Sequence, residues 1–203
     1  MAGAANFRKA AVGFRTHSGW ASLVLAAGRG EAIEILDRRH IALCDSRPPG
    51  SKQPFHAAEP MPFAQAESHI TLCRETTDRL ARDAVGAARE LCEQMGVRLC
   101  GVCVIAASGR GLPDLASTLA SHALIHAAEG EFYRDAVVEA AKAMGITAAR
   151  LKAGDALSHL AVQMGIGEAA VTNRLTEIGR LAGRPWTADE KLATLAAWSL
   201  LAV

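Results

Sequence analysis

Apolar residues open the chain in two short runs, 10–16 and 20–27, parted by His17-Ser18-Gly19. Gly28-Arg29-Gly30 leads into a third stretch, 32–43, where Ile33 and Ile35 alternate with Glu34 and Leu36. Runs of strand length separated by glycine turns predict three strands, and links this short predict an antiparallel meander. The third run alternates imperfectly, which suits a sheet edge. Residues 46–62 hold a series of prolines and Gly50, so an extended surface loop outside any ladder or helix is expected there. From 63 to 95, Ala66, Ile70, Cys73, Leu80, Ala84, Ala88 and Leu91 recur at helical spacing, and Gly96 is placed to end the helix.

Residues 99–107 form a continuous apolar run with no polar alternation, the pattern of a central strand covered on both faces, and 108–113 end it. A long helix is predicted over 115–144, with Gly130 as a bend, followed by a short strand at 147–151. Strand, crossover helix and strand imply a parallel, right-handed unit. The tail reads as helices at 155–164, 168–181 and 189–202, split by Gly165-Ile166-Gly167 and by Gly183-Arg184-Pro185. The sum is an α/β domain over 1–203: a mixed five-stranded sheet, three antiparallel strands then two parallel, with helices on both faces and a helical insertion at about 154–183.

That element order resembles the ribonuclease H-like fold, and in detail its Holliday-junction resolvase branch. Val12-Gly13-Phe14-Arg15 followed by Ser18-Gly19-Trp20 resembles the branch's first strand and turn, and the crossover helix and Ala-rich last helix fall in order. The resemblance implies two divalent ions, Mg or Mn, held by carboxylates of the first strand, the fourth strand and the last helix, where they stabilise attacking and leaving oxygens. Here the first-strand position that would match the aspartate is Arg15, and the end of the fourth strand offers Ala106, Ala107 and Ser108. Only the last helix keeps acids, Asp189 and Glu190. A guanidinium cannot ligate a cation and repels one at close range. Arg15 is therefore expected to take the ion's place and pair with Asp189 or Glu190, in a pocket with His17, Ser18 and His122. Thr187-Ala188-Asp189-Glu190 also fits a capping box, which gives the two acids a purely structural role.

Two further constellations carry chemistry. Ser121-His122, His126, Glu129 and Glu131 put two imidazoles and a carboxylate along one helix face, as a transition-metal site or an acid/base pair requires; helix-surface or half-buried histidines explain the same residues. Residues 157–175 resemble a helix-turn-helix whose second helix offers Thr172, Asn173 and Arg174 to a DNA groove, but Glu168 and Glu177 flank it, and two short amphipathic helices covering the sheet explain the pattern better. Cys100-Gly101-Val102-Cys103 lies inside a predicted strand, where buried thiols behave as small hydrophobes. Gly109-Arg110-Gly111 before a helix is a weak anion-binding signal.

Composition narrows the function classes. The chain has 203 residues, and 22 Lys and Arg against 21 Asp and Glu leave a formal charge of +1, so any nucleic-acid surface is local. Five cysteines without paired metal spacing, and no apolar tract long enough to cross a bilayer, point to a reducing cytoplasm and no membrane partner. The expected function is a binding or assembly domain with a degenerate metal site, acting on nucleic acid or another protein, with no cofactor. The alternatives are a Mg- or Mn-dependent nuclease and a helix-turn-helix DNA binder.

Overall fold

A computed structural model describes residues 8–107 and 111–202. Strands β1 (Lys9–His17), β2 (Trp20–Arg29) and β3 (Ala32–Ala42) form the meander, and β4 (Arg98–Ala106) and β5 (Thr147–Lys152) complete the sheet. The order is β3-β2-β1-β4-β5. β1 pairs β2 and β2 pairs β3 antiparallel, whereas β1 with β4 and β4 with β5 run parallel. The architecture is thus the expected mixed sheet, with β3 at its edge.

Alternation along β1 assigns the two faces. Ala10, Val12 and Phe14 point into a core built with Cys73, Ala81 and Val85 of α2 (Phe63–Gln94) and with Phe132, Tyr133 and Val137 of α4 (His122–Ala143). Ala11 points the other way, to Leu160 of α5 (Ala156–Met164), Val171 and Ile178 of α6 (Glu168–Ala182), and Trp198 of α7 (Ala188–Ser199). Each fully buried Leu, Phe or Val in these layers contributes about 1.5–3 kcal/mol of hydrophobic burial.

Three expectations need correction. Residues 46–62 are not wholly extended: Pro54–Ala58 forms a helix, α1, packed on α2 and α4. Proline at the first helical turn lacks only an amide that would have had no intrahelical partner. The 115–144 helix is two helices, α3 (Leu115–Leu119) and α4, broken where Ser121 turns extended, and α4 continues through Gly130. A Cβ on Gly130 would collide with the Arg134 guanidinium, so this glycine makes room for a side chain and does not bend the helix. The last helix ends at Ser199 instead of 202.

Candidate functional site

Register builds a polar corner on the α7 face. Arg15 pairs across the sheet with Ser22 and His40, His17 with Trp20, and Gly13 with Val24 and Arg38. Residues opposed in an antiparallel ladder share a face, so strand parity alone gathers Arg15, His17, Trp20, Ser22, Arg38 and His40. α7 crosses β1 directly over Gly13: a Cβ there would run into the Ala193 carbonyl and stand 2.7 Å from the Ala197 amide nitrogen. That close approach delivers the first turn of α7, with its two acids, to the end of β1.

Asp189 is bracketed by β1. Its Oδ1 lies 3.7 Å from Arg15 Nε, and its Oδ2 lies 3.0 Å from His17 Nε2. Neither contact is aligned as a hydrogen bond, so Arg15 Nε and His17 Nε2 are shielded from solvent without an acceptor, as is the Ser22 hydroxyl without a partner. The His17 ring stacks on Trp20 at 4.4 Å between centroids, and Trp20 meets His40 at 4.7 Å. Ser18 and Gly19 form the two-residue hairpin, Gly19 supplying the left-handed φ of +82° that the turn demands.

Glu190 does not join this bracket. Its Oε2 accepts from the Thr187 amide at 2.7 Å while Thr187 Oγ1 accepts from the Glu190 amide at 3.2 Å, a complete capping box. Its other oxygen accepts from Arg38 Nη1 at 2.8 Å, and Arg38 also donates to the Pro185 and Ala182 carbonyls. Glu190, 7% exposed, is thereby structural, and Arg15 has Asp189 as its counter-ion. β4 presents Ile105 and Ala106, followed by Ala107, none with a side-chain oxygen; Ser108, Gly109 and Arg110 lie outside the described residues.

His122 is not part of that corner. It sits at the start of α4 with its Nε2 3.1 Å from that of His126, and His56 of α1 closes the group. Glu129 stands behind His56: one carboxylate oxygen accepts from the Phe55 amide at 2.8 Å and the His56 amide at 3.0 Å, and lies 3.2 Å from His56 Nδ1. Burial pushes the Glu129 carboxyl above its usual range, and these hydrogen bonds oppose the rise. Glu131 faces elsewhere, pairing with Arg134 at 2.9 Å and Arg150 at 2.6 Å, and Ser121 only precedes the helix without capping it by its side chain.

The 157–175 segment forms two helices joined at Gly165, but the cation of the second is occupied. Arg174 Nε donates to the Glu31 carbonyl at 3.0 Å, Nη2 to the Ile33 carbonyl at 3.3 Å, and Nη1 to Glu177 at 2.6 Å. Thr172 bonds back to the Glu168 carbonyl, and Asn173 is exposed. α6 is therefore pinned against the β3 edge by the residue a DNA reader would aim at phosphate. Cys103 is buried, which pushes its thiol up to about 11, as expected of an inert strand cysteine.

Sequence reasoning did not reach Ser22, Arg38, His40 or His56. Ser22 is visible once the hairpin register is fixed from Ser18-Gly19, because it lies opposite Arg15. Arg38 and His40 lie opposite Val24 and Ser22 of β2 and need the β2–β3 register as well, which a shift between Leu25 and Ala26 conceals. His56 had no local signal.

No protein-family model matches the chain, and no curated protein matches it. Among solved structures it is similar to Thermus thermophilus RuvC in complex with Holliday junction substrate: 14% identity, 94% of this chain and 91% of that one, TM-score 0.52. A further Thermus thermophilus RuvC structure aligns at 14% identity over 94% of this chain and 92% of that one, with a TM-score of 0.48. The first likeness shows the fold, a ribonuclease H-like mixed five-stranded sheet.

Proposed function

We propose that this chain is a binding or assembly domain of ribonuclease H-like fold without metal-dependent hydrolase activity. The observation that carries the reading is the Arg15 guanidinium 3.7 Å from Asp189. A two-ion centre needs several carboxylates to offset four positive charges. Among the described residues one carboxylate outside the helix cap, Asp189, faces one guanidinium, so the pair is neutral before any ion arrives. A dication about 4 Å from Arg15 meets a repulsion of roughly 8 kcal/mol at an effective dielectric near 20, and about 2 kcal/mol in bulk water. That cancels the attraction of Asp189 at similar range. The residues present do not fit the metal pair.

What the corner offers instead is hydrogen-bonding capacity. Arg15 Nε, His17 Nε2 and the Ser22 hydroxyl all lack partners, and buried polar groups left so are the usual mark of a bound water or ligand. Nucleic acid is the first ligand class to test, since RuvC with this fold is in complex with a Holliday junction. The protein is incubated with a four-way junction, a duplex and an RNA–DNA hybrid in 10-fold steps of Mg2+. No strand cleavage is expected at any concentration, and Mg2+-dependent cleavage overturns the proposal. A mobility shift of the same substrates then separates a nucleic-acid binder from a protein-assembly domain.

A further inference from the structure

The second cluster lies at the same end of the sheet but on the opposite face. β1 and β4 are parallel, and α4 must run against them to return the chain to β5, so α4 begins where those strands finish. His122 is the first residue of α4 and His126 lies one turn on, the i, i+4 spacing that brings two imidazoles to one face. α1 then lays His56 against them. Ring centroids are 5.4 Å (His56 to His122), 4.7 Å (His56 to His126) and 4.5 Å (His122 to His126), with the rings edge to face. One ring nitrogen from each lies within 4.8 Å of the other two.

We propose that His56, His122 and His126 bind one borderline transition-metal dication, with Zn2+ as the reference ion. Imidazole-only donor sets suit Zn, Cu, Ni and Co, and oxygen-seeking Mg and Ca are poorly served by them. Nitrogens on a tetrahedral Zn stand about 3.4 Å apart. The 3.1 Å pair of His122 and His126 is already near that edge length, and both side chains are exposed and free to adjust around an ion. Three ligands leave a fourth position for water or a further ligand.

The support behind His56 is the second observation. Glu129 is 4% exposed, and its oxygen beside His56 Nδ1 fixes the ring so that Nε2 is left to ligate. A carboxylate holding the far nitrogen of a ligating histidine is the arrangement that orients metal-bound imidazoles and raises their basicity. The same oxygen takes the first amides of α1, whose own preceding residue, Gln53, contributes no side-chain cap. Its other oxygen is buried without a partner. Glu129 thus ties the proline-rich segment to α4, and an ion on the three histidines would complete the clip. This site is independent of the Arg15 corner, so either proposal stands if the other fails.

The test is calorimetric titration of the intact chain with Zn2+ at pH 7.5, using Co2+ as a spectroscopic reporter and Mg2+ as the hard-cation control. One equivalent of Zn2+ is expected, with visible bands of tetrahedral Co2+ and no Mg2+ binding. The His122→Ala/His126→Ala variant alters only exposed side chains; its melting temperature without metal should match the parent and its Zn2+ affinity should fall at least about 100-fold. Glu129→Gln should bind about 10–100-fold more weakly. Zn2+ binding that persists unchanged in the double histidine variant, or no Zn2+ binding by the parent, overturns the proposal.

Discussion

Gly13 shows how one missing methyl positions a site. Any Cβ at this place collides with the α7 backbone at Ala193, which a helix relieves only by lifting away from β1. Gly13→Ala is therefore expected to cost about 3 kcal/mol or more in denaturant unfolding, the range of severe overpacking against rigid backbone. A loss under about 1 kcal/mol would contradict the packing described. The capping box gives a second residue-scale check: Thr187→Ala should cost about 1 kcal/mol, since the Glu190 amide loses its acceptor. The cap was legible in the sequence, and the contact of Gly13 with α7 was not. Thr187-x-x-Glu190 is a local pattern and could be read directly, as could a pairing of Arg15 with one of the two acids. The division of labour between Asp189 and Glu190 could not, because it depends on Arg38, which reaches Glu190 only after β3 and α7 have been brought together.

Elements were easiest to read where burial follows a simple period, as in β4, and hardest where a distant partner decides. α1 forms because Glu129, far along the chain, supplies the cap that its own flank lacks, and nothing in residues 46–62 announces this. The break at Ser121 was likewise hidden by a run of small helix-forming residues around it. β5, an edge strand, is fastened to α4 by Arg150, which pairs with Glu131 and Asp135. Burial pushes the Glu131 carboxyl up, but hydrogen bonds from Arg134 and Arg150 outweigh it and hold the group below its ordinary range. A depressed folded value means that the ionised carboxylate contributes stability above the unfolded value near 4.5, and that this contribution is lost as pH falls through the folded one. Between about pH 5 and pH 3 the parent should lose stability more steeply than Glu131→Gln, as read by urea midpoints across that range. Parallel curves would show that the ion pair contributes nothing.

At the scale of the molecule, one sheet end carries two unlike clusters separated by the sheet itself. On the α7 face a guanidinium and a carboxylate neutralise each other beside a stacked His17 and Trp20. On the α4 face three histidines gather in front of a buried carboxylate. Among the described residues, no helix is long and apolar enough to cross a membrane. The mixed sheet was legible because the meander, the two-sided strand and the crossover helix each leave a distinct periodicity, whereas α1 and the break before α4 were not. The sites were legible only in part, because each is assembled from separate segments. The most direct check on the account is anomalous diffraction from crystals soaked in Mn2+. We expect no manganese peak at coordination distance from Asp189, with Arg15 still facing that carboxylate; a peak on Asp189 with Arg15 swung aside would contradict it.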